Sequence, residues 1–128
     1  YKRRKSPWKI GRTPQERESS MKARNIGMDI APPEKTCEDK HCAFHGTITL
    51  RGRQFTGQIT RLNSQRTAVV QWERLLYIPK YQRYEKRRSK LQVHHSDCIT
   101  LNVGDHVRFI ECRPISKTKN FVIIEKTQ

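Results

Sequence analysis

Cysteine and histidine are the residues here best suited to holding a metal, and the 128-residue chain has four cysteines, at positions 37, 42, 98 and 112. Four residues separate Cys37 from Cys42, a spacing that lets two thiolates reach one tetrahedral zinc ion, and His41 and His45 stand beside them. Cys98 and Cys112 are thirteen residues apart, too far for local geometry to unite them. If the chain closes into a barrel, a loop before one strand and the end of that strand both approach the N-terminal part. One structural zinc held by Cys37, Cys42, Cys98 and Cys112, with His45 as a substitute ligand, is then expected. The alternative is buried thiols acting as small hydrophobes. Disulfides are not expected, because nothing marks the chain for an oxidising compartment.

Other constellations that carry out chemistry are missing from the sequence. A zinc deaminase needs His-x-Glu and Cys-x-x-Cys around an open coordination position, and neither motif occurs. A two-metal nuclease needs clustered carboxylates. Here Glu34, Glu38 and Asp39 lie in a Lys-rich linker, while Asp97 and Asp105 stand alone. No Ser, Cys or His constellation has motif support, so the chain is read as a non-enzyme.

What the chain has in quantity is positive charge: 27 Lys and Arg oppose 12 Asp and Glu, a formal net charge of +15. Self-repulsion on that scale disfavours the compact state unless a polyanion neutralises it. A membrane surface suits the sequence poorly, since no apolar run approaches the roughly 20 residues of a bilayer span. The N-terminus also lacks the apolar stretch of a secretory signal. A cytoplasmic protein on RNA is expected.

The densest signal lies between Leu75 and Lys90, where Tyr77, Tyr81 and Tyr84 interleave with Lys80, Arg83, Lys86, Arg87, Arg88 and Lys90. Tyrosine offers a flat face to an unstacked base or ribose, and neighbouring cations neutralise phosphate. The tyrosine spacing of four and three also fits one face of a short helix packed on the barrel, and that alternative stays open. A second candidate is the loop carrying Arg113, Ser116, Lys117, Thr118 and Lys119, in which Pro114 fixes the backbone and hydroxyls and cations could clamp phosphate. A solvated hairpin loop is its alternative. Lys2, Arg3, Arg4 and Arg24 in the N-terminal arm, and Arg66 before the most β-prone run, complete the candidate RNA contacts.

Positioning these residues requires two regions. Residues 1–35 are basic, contain prolines at 7, 14, 32 and 33, and have few large apolar residues, so alone they read as a flexible, largely irregular extension. Residues 36–128 form the RNA-binding domain. From Gly46 onward apolar and polar residues alternate at period two, the mark of half-buried strands. Thr47–Leu50 leads through Gly52 to Phe55, Gly57, Ile59 and Leu62, and Asn63 to Arg66 make a turn. Thr67–Trp72 is the most β-prone run. Val107, Phe109 and Cys112 are expected on one strand face, and a last strand runs from Phe121 to Ile124. Five short strands without a convincing long helix predict an all-β fold, a small five-stranded OB-fold barrel with long basic loops.

Several linked runs carry a family resemblance: Arg66–Val70, Tyr77–Tyr81 with Tyr84–Arg87, Val103–Asp105 and Glu111–Thr118. They resemble the universal small-subunit ribosomal protein family numbered seventeen. Ala23–Gly27 and Cys42–Gly46 are similar to its archaeal branch, whose eukaryotic counterpart is numbered eleven. The likeness spans about residues 22–126, and residues 1–20 depart from it. It implies an OB-fold that binds small-subunit ribosomal RNA directly, in its 5′ and central regions, and helps the subunit assemble beside neighbouring ribosomal proteins. Neither a membrane nor a homo-oligomer is expected. The rival reading is a free OB-domain translation factor acting on transfer or messenger RNA.

Overall fold

The computed structural model describes residues 23–127; the candidate contacts Lys2, Arg3 and Arg4 lie outside the described residues. Five strands form: β1 (Leu50–Asn63), β2 (Thr67–Ile78), β3 (Arg83–His94), β4 (His106–Cys112) and β5 (Lys119–Thr127). They close into a ring in the order β1-β2-β3-β5-β4. All neighbours are antiparallel except β3 and β5, whose parallel pairing completes the ring. This is the small OB-type barrel that the alternation of apolar residues predicts. Among the described residues there is no helix, and so none long and apolar enough to cross a membrane.

The strands are longer than expected: β1 has 14 residues, and β2 and β3 have 12 each. β1 is long because it serves two partners. Its first part, Leu50 to Gln58, pairs with β4, and its end, Gln58 to Asn63, pairs with β2. The strand must bend sharply between them, and Gly57 sits at the crossing. A Cβ there would lie 2.7 Å from Val70 Cγ1 and 3.0 Å from the Gln71 carbonyl oxygen, so only hydrogen fits. β2 and β3 are long because they pair without a break from Thr67↔His94 to Ile78↔Arg83. The basic, tyrosine-rich stretch is therefore an extended hairpin. The helical alternative for Tyr77, Tyr81 and Tyr84 is overturned, because the β-branched and aromatic residues of β2 impose their pairing on β3.

Two apolar cores result. Ile59, Ala68, Val70, Val93, Val107, Phe109 and Ile123, drawn from all five strands, fill the lumen. Phe55, Trp72, Phe109 and Phe121 contact one another there, with ring centroids 5.6–6.0 Å apart. The second core lies outside the ring: Ile110, Cys112, Val122 and Ile124 pack against Cys42, Ala43, Phe44, Ile48 and Cys98. Strands β4 and β5 are thus covered on both sides, which explains the unbroken apolar run Phe121–Ile124. It also corrects the expectation for β4. Val107 and Phe109 face the lumen, whereas Cys112, three residues after Phe109, alternates with Ile110 onto the outer face and joins the outer core.

The cover is supplied by residues 23–48, which have no helix or strand. Ala23, Ile26, Met28 and Ile30, read from the sequence as part of a flexible extension, pack against the outer core. The Arg24 N–H donates to the Phe44 carbonyl at 2.9 Å, and its Nε donates to Ala43 O at 2.9 Å. Arg24, a candidate RNA contact, thereby holds the extension to the cap.

The close approach at Gly57 leads to a direct expectation. Gly57→Ala should destabilise the barrel by about 1–3 kcal/mol through overpacking, seen as a melting temperature lowered by about 4–8 °C per kcal/mol. An unchanged melting temperature would mean that β1 and β2 separate here at no cost.

Candidate nucleic-acid interface and cysteine-histidine cluster

Beyond Trp72 the β2–β3 hairpin leaves the barrel and turns at Pro79–Gln82, where Tyr81 and Gln82 N–H groups donate to Ile78 and Pro79 carbonyls at 3.3 Å. Residues directly opposite in an antiparallel pair share a face. One face presents Gln71 with Lys90, Glu73 with Arg88, Leu75 with Lys86, and Tyr77 with Tyr84; the other presents Arg74 with Arg87 and Ile78 with Arg83. Tyr77 and Tyr84 meet with ring centroids 5.2 Å apart, and Lys80 Nζ lies 5.5 Å from the centre of the Tyr81 ring. Tyr81 and Tyr84 are 65% and 69% exposed, far above what packing on a core would leave.

Carboxylates engage few of these cations. Arg87 pairs with Glu85 at 3.0 Å and Arg88 with Glu73 at 3.7 Å, all four side chains being well exposed. Exposed pairs of this kind are worth at most about 1 kcal/mol and exchange easily for a phosphate. Lys80, Arg83, Lys86 and Lys90 have no ion pair among the described residues. The hairpin can therefore offer cations and ring faces together.

The β4–β5 loop is more committed to its own structure than its sequence suggests. Thr118 donates its hydroxyl to Gln92 Oε1 at 2.7 Å, and Lys119 Nζ donates to Thr67 Oγ1 at 3.0 Å. The Ser116 hydroxyl oxygen accepts the Lys119 N–H at 3.2 Å and keeps its own proton for another acceptor. Arg113 and Lys117 point to solvent. Of the five candidate residues, Arg113, Ser116 and Lys117 remain open to phosphate, while Thr118 and Lys119 shape the loop.

Arg66 differs most from expectation. It has a φ of 50°, a left-handed conformation that costs a residue with a side chain about 1–2 kcal/mol. Its guanidinium pairs with Asp97 at 2.7 Å and with Asp39 at 3.5 Å, and its carbonyl accepts the His95 N–H at 3.1 Å. Asp39 is buried and also accepts from the His41 N–H at 3.0 Å and from His94 Nε2 at 2.6 Å. Burial alone would raise the Asp39 pKa; the His41 N–H, His94 and Arg66 outweigh it and lower it. Burial holds His94 below its ordinary pKa despite Asp39. A neutral imidazole thus donates to an ionised carboxylate. This network escaped sequence reading, because its members are spread from 39 to 97 with no common spacing.

Beside it lies the cluster. Cys37 Sγ is 3.4 Å and Cys42 Sγ 3.6 Å from His45 Nδ1, and Cys42 and Cys98 sulfurs are 3.6 Å apart. All four ligand atoms fall within 4.8 Å of one another. The four-cysteine set expected from the sequence is not what the fold assembles. Cys112, at the end of β4, donates its thiol to the Arg113 carbonyl at 3.2 Å, and His45 takes the fourth place. His45 arrives there because the chain reverses at Gly46, whose missing side chain leaves room for the Cys42 carbonyl 2.7 Å from where a Cβ would be.

The cluster is electrostatically uneven. The Cys98 thiol above all, with Ser96 and the His45 and Phe44 N–H groups, outweighs burial and lowers the Cys42 pKa to about 4. The same Cys98–Cys42 contact, together with burial, holds Cys98 well above the usual thiol range, and burial raises Cys37. A thiolate seated among thiols and an imidazole is a donor set suited to a divalent cation of zinc type.

Comparison with known proteins accords with this architecture. Residues 57–125 match the family described as ribosomal protein S17. The chain is 52% identical over 103 residues to the small ribosomal subunit protein uS17 of Methanoculleus marisnigri, covering 80% of this chain and 95% of that one. It is 52% identical over 104 residues to the protein of the same name from Methanococcus maripaludis, covering 81% and 95%. It is 50% identical over 102 residues to that of Archaeoglobus fulgidus, covering 80% and 91%. A family match across more than half of the chain, and relatives at this identity aligned over nearly their whole length, make the chain a member of the ribosomal protein S17 family.

Proposed function

We propose that this chain is a structural constituent of the small ribosomal subunit, in the cytoplasm. It binds small-subunit ribosomal RNA directly, in the 5′ and central regions, helps the subunit assemble, and catalyses nothing. Its partners are that RNA and neighbouring small-subunit proteins, with no membrane and no second copy of itself. The observation that carries this reading is the β2–β3 hairpin, which projects exposed tyrosines and unpaired cations away from the barrel. The relatives' shared name favours a resident constituent over the alternative, a free OB-domain translation factor on transfer or messenger RNA. Phosphate contacts supply affinity through released counterions, and the tyrosines and barrel shape select the RNA junction.

Replacing Arg87 and Arg88 together by alanine should weaken binding to small-subunit ribosomal RNA and reduce the slope of log affinity against log salt by about 1.4–1.8, the contribution of two phosphate contacts. Filter binding or calorimetry over a salt series measures both. Unchanged affinity and slope would remove the hairpin from the interface.

The second part of the proposal is one structural zinc ion held by Cys37, Cys42, His45 and Cys98. Tetrahedral zinc with ordinary bond lengths places sulfurs about 3.8 Å apart and sulfur about 3.6 Å from nitrogen, and the three closest contacts here span 3.4–3.6 Å. The ion would join the cap to the loop before β4 and add its binding energy to that of a small core. Elemental analysis of protein purified from zinc-supplemented cells should find one equivalent, and cobalt should give the intense visible absorption of a tetrahedral thiolate site. Cys98→Ala should lose the metal, while Cys112→Ala should keep it. Metal-free native protein, or a Cys112→Ala variant that loses the ion, would refute this ligand set.

A further inference from the structure

Arg66 lies where two carboxylates converge, and each carboxylate neighbours the cysteine-histidine cluster. Asp39 stands between Cys37 and Cys42 in sequence, and Asp97 directly precedes Cys98. The guanidinium reaches both, at 3.5 Å and 2.7 Å. Resting on the reading of the cluster as a zinc site, we infer that Arg66 is a positioning residue which makes the shape of the RNA-facing loops depend on metal occupancy.

A bound ion fixes the segment 37–45 and the loop at Cys98 relative to one another, since each supplies ligands. Asp39 and Asp97 are fixed with them. The Asp39 arm is the stronger of the two, because that carboxylate is buried and also tied to His94, whereas Asp97 is largely exposed and its pairing is screened by water. Arg66 is held in a left-handed turn that its own side chain disfavours, and besides the Asn63–Thr67 pairing the contacts that offset this cost are the two carboxylates and the His95 N–H on its carbonyl.

From Arg66 the chain of contacts reaches the second loop. Lys119 Nζ, at the end of the β4–β5 loop, donates to Thr67 Oγ1 at 3.0 Å and approaches the Gln65 carbonyl at 3.5 Å. Ser64, Gln65 and Arg66 from one loop and Ile115, Ser116 and Lys119 from the other line an open groove of about 460 Å³, with Asp39 and His94 also on its wall. Loss of the ion frees Asp39 and Asp97, releases the turn at Arg66, and lets the two loops part. RNA affinity then falls although no RNA group touches the metal.

The test compares native protein with Arg66→Gly, since glycine adopts the left-handed turn without strain and lacks the guanidinium. Zinc content is measured for both by elemental analysis, and binding of the full chain to small-subunit ribosomal RNA is measured with zinc and after chelation. Native protein should lose about tenfold in affinity on chelation, and Arg66→Gly less than about twofold, both having bound one zinc beforehand; a ratio of that size is typical of coupling between sites. Amide shifts of residues 64–67 should move on chelation only in the native protein. Equal losses in both proteins would overturn the role of Arg66, because the metal would then act through the fold at large. No loss in either, with zinc shown to bind, would overturn the coupling and leave the zinc site standing. Native protein that binds no zinc would remove the site and the coupling together.

Discussion

The structure depends on covering both faces of β4 and β5. Phe109 and Ile123 fill the lumen, so Ile110, Cys112, Val122 and Ile124 face outward and would meet water if the ring stood alone. Burying a side chain of this size is worth about 1.5–3 kcal/mol. A bare ring would therefore expose apolar surface comparable in weight to a small domain's whole margin of stability, about 5–15 kcal/mol. Residues 23–48 are the cover, and they supply it without regular structure of their own, through Phe44, Ile48 and Ala43 and the smaller contacts of Ala23, Ile26, Met28 and Ile30. The cysteine-histidine cluster and the Asp39–His94–Arg66 network lie where this cover meets the barrel, and both join segments that have no covalent reason to stay together.

How much was legible beforehand depends on the range of the signal. Period-two alternation is local, and it identified β1, the first half of β2, β4, the middle of β5 and the barrel. It missed β3, which lies within the basic stretch, and put Cys112 on the wrong face of β4. The two-sided burial of β4 and β5 was visible only as the run Phe121–Ile124, whose significance depends on something covering the second face. The tyrosines show the limit of spacing arguments: intervals of four and three suit a helix, and they also place Tyr77 and Tyr84 opposite one another across a tight turn. The pairing partner decides between these, and the partner is not a property of the stretch itself.

The site was legible in parts for the same reason. Cys37, Cys42 and Cys98 come together as the barrel topology suggests, but Cys112, in the same outer core, gives its thiol to the Arg113 carbonyl instead, and His45 reaches the cluster because of a chain reversal at Gly46. Arg66, taken from its charge as a contact for RNA, spends that charge on two carboxylates. A basic protein needs some of its cations for its own architecture, and composition does not reveal which. Here Arg66, Arg108 and Lys126 are paired on the cap and barrel, whereas on the hairpin Lys80, Arg83, Lys86 and Lys90 have no ion pair among the described residues.

The hairpin has one more consequence. Within the ring every strand is flanked on both sides, but from Glu73 to Arg88 the same two strands have only each other. A two-stranded ribbon in water is marginally stable at best. Resistance to opening must therefore decline along β2 and β3 from barrel to tip, within single uninterrupted strands. Such a gradient suits a molecule that has to dock as a rigid body and still mould itself to an irregular surface: the base fixes direction, and the tip takes its final form from whatever it lies against.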